Sequence, residues 1–349
     1  MTITKQRNVS VELLRVIAML MVLGLHANFM SFAIPTATNV LSFNGIFRVF
    51  MEAICYVAVN TFVMISGWFG IKATIKGFSN FMWQVIYVVG LLFIIGVLFF
   101  NVPANIYNIL GILGLYGGGG WFVAAYIGLY ILSPVLNAYI KNTPNKNIAL
   151  FLIAFFSFQF IWGNTHSVVF IGNGYSTFSF IGIYILAGLL RKCNDEDNSI
   201  MKYFRGGSTF ILTVIINTIL YVVGCRLQLI ALMSYTLNYI NPLVILGAAS
   251  LLVTFAGKPE SFLQKGILRN FILWLSASCF AVYLLHVGMS WALLKYCEGV
   301  QAIYDKYSAF SGFAMAMILL YMISVFILAI LIDQPRKFLW RKVISKLLK

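Results

Sequence analysis

Three ionisable residues lie within the first strongly apolar stretch of the sequence: Glu12, Arg15 and His26. An α-helix turns by about 100° per residue, so the spacing of Arg15 and His26 brings them within about 20° of one face. Glu12 lies within about 60° of Arg15 on the same side. At about 1.5 Å of rise per residue, His26 is roughly 16 Å further along the helix. One polar stripe is therefore expected to run from an Arg–Glu pair to a histidine.

Ionisable side chains inside a membrane are costly, so each of these residues is a candidate for function. Histidine titrates near neutrality and is suited to proton transfer. Two structural alternatives exist. Arg15 could extend to the interface and pair with Glu12. His26 could be a neutral buried histidine whose hydrogen bonds are satisfied by a neighbour.

Glu52 and Ser66 share a face of the second apolar stretch, because fourteen residues separate them. Glu52 is expected at the depth of His26, where it would orient the imidazole or accept a proton. Alternatively, it would face the outer interface without a role. His286, in the string SCFAVYLLH of the ninth stretch, is expected at a similar depth, as a packing or a functional residue.

Four further features frame the candidate site. Lys72 and Lys76 follow the string SGWFG and are expected at the cytoplasmic surface. Trp121 follows four glycines and is expected to form a wall of an outer cavity. His166 is expected in an external loop. Asp333, close to Arg336 and Lys337, is expected to form an interfacial salt bridge.

The composition indicates an integral membrane protein. Hydrophobic residues make up 61% of the 349-residue chain and charged residues 9%, against about 25% charged residues in soluble domains. Because a spanning helix needs about 20 apolar residues, we predict one all-α polytopic membrane domain over residues 1–349. Its ten helices are expected at 11–31, 49–70, 79–100, 121–140, 147–163, 178–190, 208–224, 240–256, 270–293 and 309–332. Residues 101–120, which contain Pro103 and four consecutive glycines, are expected to be re-entrant or interfacial.

The distribution of basic residues predicts the orientation. With the N-terminus inside, 19 of the 24 lysines and arginines fall on cytoplasmic segments and four on external ones, Arg15 being within the first helix. This bias predicts cytoplasmic termini in a multi-pass protein of the cell (plasma or inner) membrane. The net charge of +15 therefore indicates topology and lipid contact rather than nucleic acid. The five cysteines and three histidines show no metal-binding spacing, and no nucleotide-hydrolase motif is present.

Several strings together resemble the membrane acyltransferase family 3. NVSVELLRVIAMLMVLGLHANF resembles the first helix of that family, whose signature is an arginine, ten residues and a histidine; Arg15 and His26 match it. SGWFG resembles the Ser-Gly-aromatic element of the family, GGGGWFVAAYIGLYILSP its fourth helix and SCFAVYLLH its ninth. Many members have arginines after the Ser-Gly-aromatic element, where this chain has Lys72 and Lys76. Lysine can hold a phosphate, but without the bidentate fork of arginine.

The resemblance implies a ten-helix enzyme that transfers an acyl group, acetyl above all, from cytoplasmic acyl-CoA to a hydroxyl of a bacterial surface polysaccharide or its lipid-linked precursor. His26 would be a general base or a covalent acyl carrier, with Glu52 assisting. The donor and substrate would contact Glu12, Arg15, Ser66, Lys72, Lys76, Trp121 and His286, and no metal is expected. A polysaccharide exporter or polymerase, or a proton-coupled transporter, would also place charges within the membrane and remain alternatives.

Overall fold

The computed structural model describes residues 7–114, 120–165, 168–257, 266–307 and 311–347, and its regular elements within these ranges are helices. His166 and Gly117 lie outside the described residues. The helices are α1 Val9–Ala27, α2 Phe43–Tyr56, α3 Ala58–Phe69, α4 Ile75–Phe99, α5 Ile106–Gly111, α6 Gly120–Asn142, α7 Asn145–Thr165, α8 Thr177–Asp195, α9 Ser208–Arg226, α10 Ile230–Thr236, α11 Pro242–Ala256, α12 Gly266–Ser276, α13 Cys279–Val287, α14 Ser290–Tyr307, α15 Gly312–Leu339 and α16 Ser345–Leu347. Short 3₁₀ turns occur at Gly172–Gly174 and Ser199–Tyr203, and a π-turn at Trp340–Ile344.

Each of the ten predicted apolar stretches is occupied by one or more helices, and the ninth, 270–293, also contains the first residues of α14. Within the described residues, eight of them are long and apolar enough to cross a membrane. The other two are α11, which is apolar but has 15 residues, and α8, whose last turns carry charged side chains. The chain is thus an all-α polytopic membrane protein.

Two of the predicted spans are broken helices. The second is interrupted at Val57, whose carbonyl oxygen accepts a hydrogen bond from the Thr61 hydroxyl, a contact that often bends helices. The ninth is interrupted between α12 and α13, where the Ser278 hydroxyl donates a hydrogen bond to Asp333. Between Asn101 and Gly114 the chain forms only the six-residue α5, so this part is not a regular span.

Helix α1 occupies the centre of the bundle. It packs against α2, α3, α11, α12, α13, α14 and α15, and Val11, Leu14 and Leu23 on it are fully buried. Its start is capped by the Asn8 side chain, which accepts a hydrogen bond from the Val11 amide. A central helix of this kind can carry ionisable side chains because neighbouring helices, rather than lipid, surround them.

The helices alternate in direction and produce two distinct ends. At the end where α1 finishes, here called the His26 end, Arg226 donates to the Ala37 carbonyl and Tyr235 to the Asn164 carbonyl. At the opposite end, the Arg15 end, Asn8 donates to the Ala256 carbonyl and Arg191 to the Trp68 carbonyl. These contacts are the pairings expected from an alternating series of spans.

A buried ion cluster holds three spans together at the Arg15 end. Asp333 on α15 is fully buried and accepts hydrogen bonds from Arg336 at 2.6 Å, Ser278 at 2.9 Å and Gln84 at 3.4 Å. Lys337 lies 3.1 Å from the same carboxylate. The predicted salt bridge of Asp333 therefore exists, but α4 and the start of α13 cover it.

We expect Asp333→Ala to destabilise the protein much more than removal of an exposed carboxylate. The change leaves the buried Arg336 guanidinium without its counter-charge, and such losses cost about 3–5 kcal/mol. The matched control is Glu298→Ala, which breaks a 2.7 Å pair with Lys295 in which both side chains are at least half exposed; such pairs contribute about 0–1 kcal/mol. Thermal unfolding in detergent measures both. Equal shifts in Tm would show that the cluster does not stabilise the fold.

The predicted orientation can be tested with single cysteines at the two ends. Val169 is 93% exposed near the start of α8, and Tyr203 is 62% exposed near the start of α9. A membrane-impermeant maleimide added to intact cells should modify Val169→Cys, and Tyr203→Cys only after permeabilisation. The five native cysteines are buried, so background labelling should be low. Labelling of Tyr203→Cys in intact cells would reverse the assignment.

Candidate active site

Two histidines from distant parts of the sequence meet inside the bundle. His26 Nδ1 lies 3.0 Å from His286 Nε2, and the ring centroids are 5.0 Å apart. His286 is 2% exposed, whereas His26 is partly accessible. The sequence placed both residues at a similar depth, and the structure brings them into direct contact.

The second nitrogen of His286 determines how protons are arranged in this pair. His286 Nδ1 lies 2.7 Å from the carbonyl oxygen of Val282. Because a carbonyl only accepts hydrogen bonds, Nδ1 must carry the proton. In a neutral ring Nε2 is then an acceptor, so His26 donates from Nδ1. If both rings are neutral, the nitrogen with an unused lone pair is His26 Nε2. No described residue forms a hydrogen bond to this nitrogen.

The last turn of α1 is held by hydrogen bonds to its backbone. The carbonyl oxygen of His26 accepts from the Ser31 hydroxyl at 2.6 Å and from the Cys297 thiol at 3.7 Å. Tyr296 donates to the Leu23 carbonyl at 2.9 Å. The two contacts at His26 satisfy a carbonyl in the last turn of α1, where carbonyls lack partners within the helix. They also fix the position from which the His26 ring extends.

Glu52 is at the His26 end, but its carboxylate hydrogen bonds to Asn28 rather than to His26. Its carboxylate accepts from the Asn28 amide at 2.8 Å, and Asn28 in turn accepts from Arg48 Nε at 3.1 Å. Glu52 is 5% exposed. Through Asn28, which directly follows α1, Glu52 ties α2 to the end of the helix that carries His26. A direct catalytic role of Glu52 stays a prediction.

Arg15 and Glu12 form the predicted pair, with Arg15 Nη1 3.2 Å from the Glu12 carboxylate. The Arg15 side chain is 33% exposed and that of Glu12 7%. Both lie within electrostatic range of the Cys279 thiol, as does Lys337. Cys279 is the first residue of α13, and His286 lies in its last turn. Helix α13 therefore runs parallel to α1, beside the polar stripe from Arg15 to His26.

Aromatic rings fill the space between the two polar ends. Tyr283 on α13 lies 6.2 Å from His286 and 5.3 Å from Phe122, measured between ring centroids. The series continues toward the Arg15 end through contacts of 5.1–6.1 Å among Phe122, Phe280, Phe81, Tyr126 and Tyr283. Most of these rings are partly accessible. We refer to these five residues as the aromatic corridor.

The segment after SGWFG is fixed through its backbone. Tyr184 accepts from the Ile71 amide at 2.7 Å, and Tyr130 accepts from the Thr74 amide at 3.0 Å. Gly67 allows α3 and α8 to pack closely, because a Cβ at this position would collide with the carbonyl oxygen of Tyr184. The side chains of Lys72 and Lys76 are exposed.

Ser66 and Trp121 occupy different parts of the site. The Ser66 hydroxyl donates to the Phe62 carbonyl at 3.2 Å and lies 3.3 Å from the Tyr126 hydroxyl, beside the corridor. Trp121 is at the His26 end, where its ring centroid lies 4.5 Å from that of Tyr175 and 6.2 Å from that of Tyr239. Ligand binding by these residues stays a prediction.

The sequence analysis missed Asn28, Lys337 and Tyr283 as parts of this arrangement. Asn28 ends α1 and had a detectable signal, because asparagine is common just beyond helix ends. Tyr283, three residues before His286, lies on the same face of α13, but aromatic residues near span ends are common without any site. Within the described residues, no three histidine, cysteine or acidic side chains are grouped as a metal site would require.

Comparison with known families gives a match over most of the chain. A family model described as an acyltransferase domain, that of acyltransferase family 3, matches residues 8–345. No curated protein and no solved structure matches the chain significantly. The family match covers both the stripe on α1 and His286 on α13. The chain belongs to the membrane acyltransferase family 3.

Proposed function

We propose that this acyltransferase moves an acyl group, acetyl in the first instance, from cytoplasmic acyl-CoA to a hydroxyl of a cell-surface polysaccharide or its lipid-linked precursor. The observation that carries the proposal is the 3.0 Å contact between His26 Nδ1 and His286 Nε2, from which we infer an unprotonated Nε2 on His26. The histidine pair lies at one end of the aromatic corridor, and the accessible Arg15 lies toward the other. This arrangement suits a reaction in which an anionic donor and a hydroxyl acceptor approach from opposite ends.

The donor's phosphates are assigned to the Arg15 end. The Arg15 side chain is 33% exposed, whereas the side chains of Lys337 and Arg336 are 16% and 5% exposed, so Arg15 is the most accessible of these three cations. Arg336, Lys337 and Asp333 together carry a net positive charge, which favours the binding of a polyanion. Lys72 and Lys76 would extend this basic surface. The pantetheine arm, which is thin and uncharged, would follow the aromatic corridor toward His26.

The chemistry at the His26 end is a nucleophilic attack on a thioester. The acceptor hydroxyl oxygen forms a bond to the acyl carbon while His26 Nε2 takes the hydroxyl proton. The bond from that carbon to sulfur then breaks, and the coenzyme thiolate leaves with the proton returned by His26. A base near neutrality is needed because a sugar hydroxyl is a very weak acid.

His286 acts as a positioning residue for His26. When His26 Nε2 takes up a proton, its ring becomes positive and Nδ1–H still donates to His286 Nε2. The pair then resembles the base and its orienting partner in acyl-transfer triads, with a neutral imidazole in place of a carboxylate. The same lone pair on His26 would be the nucleophile if the acyl group were first carried on the histidine.

We expect His26→Gln to reduce glycan acylation by about 10²–10⁴-fold, with the protein still in the membrane. Glutamine keeps a donor for His286 but cannot take up the proton. Mass spectrometry and NMR of surface glycan, before and after mild base, measure the acyl groups. Unchanged acylation would make His26 a structural residue. Loss of the glycan itself, rather than its acyl groups, would favour an exporter or polymerase.

A matched pair at position 286 tests the hydrogen bond. His286→Gln retains an oxygen that can accept from His26 Nδ1, whereas His286→Leu does not. We expect His286→Gln to keep a larger kcat than His286→Leu, with similar KM for acyl-CoA, because the change affects the base rather than donor binding. Equal kcat in the two variants would show that His286 only fills space.

Arg15→Ala should raise KM for acyl-CoA by roughly tenfold or more, the loss expected from a hydrogen bond to a charged group. The effect should disappear with an acyl-pantetheine that lacks the nucleotide phosphates. Arg226→Ala is the control, since Arg226 is an exposed arginine at the His26 end. If Arg15→Ala affects both donors equally, Arg15 does not bind the phosphates and its pairing with Glu12 is structural.

A further inference from the structure

A polar cavity of about 630 Å³ opens at the His26 end, bounded by the end of α7, the segment before α8, and α10 with the residues after it. Its volume falls within the range of about 300–1,000 Å³ typical of small-ligand sites. The polar side chains on its wall include Asn164, Asn173, Asn238, Ser234, Tyr175 and Tyr235. Among the described residues that line it, none is charged.

This lining matches the chemistry of a neutral sugar. Sugar hydroxyls both donate and accept hydrogen bonds, and asparagine side chains offer both functions. The exposed ring of Tyr175 supplies an apolar face for the C–H groups of a sugar ring. A charged ligand would instead lose hydration without a counter-charge on the described wall. By contrast, the cavity of about 470 Å³ between α1, α2 and α15 is lined mainly by apolar side chains.

Continuous ring contacts join this cavity to the histidine pair. Tyr175, on the cavity wall, lies 4.5 Å from Trp121, and Trp121 lies 5.7 Å from Phe122. Phe122 contacts Tyr283, which contacts His286. These contacts lead from the cavity wall to His286, the partner of His26, and Trp121 is the ring between Tyr175 and Phe122.

The backbone of the cavity wall is built to present Asn173. Asn173 has φ of 53°, between Gly172 at 50° and Gly174 at 95°. This left-handed conformation is uncommon outside glycine, although asparagine adopts it more readily than most residues. Asn173 is exposed, and no described residue hydrogen bonds to its side chain. The amide is therefore available to a ligand.

We infer that this cavity binds a neutral sugar residue of the acceptor glycan, next to the residue whose hydroxyl reaches His26. The assignment of that sugar as an acceptor rests on the proposed function, whereas the binding itself does not. Asn173 and Tyr175 would provide a hydrogen bond and an apolar face. The catalytic histidines would then act on whichever hydroxyl this cavity presents to them.

The test compares variants that preserve the backbone. Asn173→Gly removes the amide at a position where glycine tolerates the positive φ. Its control is Asn101→Gly, because Asn101 has the same φ of 53° and is exposed but does not line the cavity. Tyr175→Leu removes the phenol, with Tyr203→Leu at the Arg15 end as its control.

Saturation-transfer NMR on purified protein measures binding without any acyl donor. The probes are neutral and anionic oligosaccharide fractions from de-esterified surface polysaccharide of cells that carry the protein. We expect the neutral fraction to bind, and its affinity to fall roughly three- to tenfold in Asn173→Gly and Tyr175→Leu, as for a lost neutral hydrogen bond. The controls should match the wild type.

Three results would overturn the inference: no binding of the neutral fraction, equal affinity in all variants, or binding of the anionic fraction alone. Acyl transfer to the same oligosaccharides is measured separately. Wild-type protein that binds the neutral fraction in this cavity but transfers no acyl group would leave the sugar site standing and remove the proposed function. If acyl transfer occurs and neither cavity substitution changes it, the proposed function would stand and the sugar site would be excluded.

Discussion

The contact between His26 and His286 depends on two helices from opposite ends of the sequence reaching the same depth in the bundle. They can do so because α1 and α13 run in parallel, with Arg15 near Cys279 at one end and the two imidazoles 3.0 Å apart at the other. A buried polar group without a partner costs several kcal/mol. Within a membrane, pairing the histidines therefore limits how far α13 can slide or rotate against α1. The hydrogen bonds from Ser31, Cys297 and Tyr296 impose a similar limit on the end of α1.

Charged side chains and aromatic rings occupy different parts of the site because removing a charged group from water is costly. Charged groups are concentrated at the Arg15 end, where Arg15 retains access to water and Asp333 compensates the more deeply buried cations. The aromatic corridor between the two ends has few polar groups that would need a new hydrogen-bond partner after a ligand leaves. Under the proposed function, a thin donor arm would enter and leave this corridor without stripping a buried charge of its partner. Arg15, the charged group assigned to the donor, is the one that stays accessible to water in the Arg15–Arg336–Lys337 group.

The sequence predicts those parts of the site that lie on one regular element. The common face of Arg15 and His26 follows from helix geometry alone, and the structure keeps both residues on the unbroken α1. His286 is 260 residues from His26, and spacing along a chain does not determine contacts between different helices. The partner of Glu52 was unpredictable for a related reason: Asn28 leaves α1 with φ of −111° and ψ of −97°, which turns its amide toward α2.

Other differences arise because apolar stretches conceal interruptions. Residues 49–70 read as one span, yet the helix breaks at Val57, and Thr61 beside it is a residue that can bond back to the backbone. Asp333 follows a long apolar run, so an interfacial position was expected for it. Its burial results from coverage by Gln84 and Ser278 of other helices. Such coverage is a property of the assembled bundle, and local composition contains no signal for it.

A base that can activate a sugar hydroxyl can also activate water, so the histidine pair by itself does not explain selective transfer. Water must be kept from the acyl group while the acceptor is held close to it. The rings of Phe122, Tyr283 and Trp121 surround the approach to His286 with surface that offers water few hydrogen bonds. Discrimination among acceptors must then come from groups outside the catalytic pair. Uncharged polar side chains suited to that task line the cavity beside Tyr175. Under the proposed function, activation and recognition of the acceptor would therefore rest on different helices.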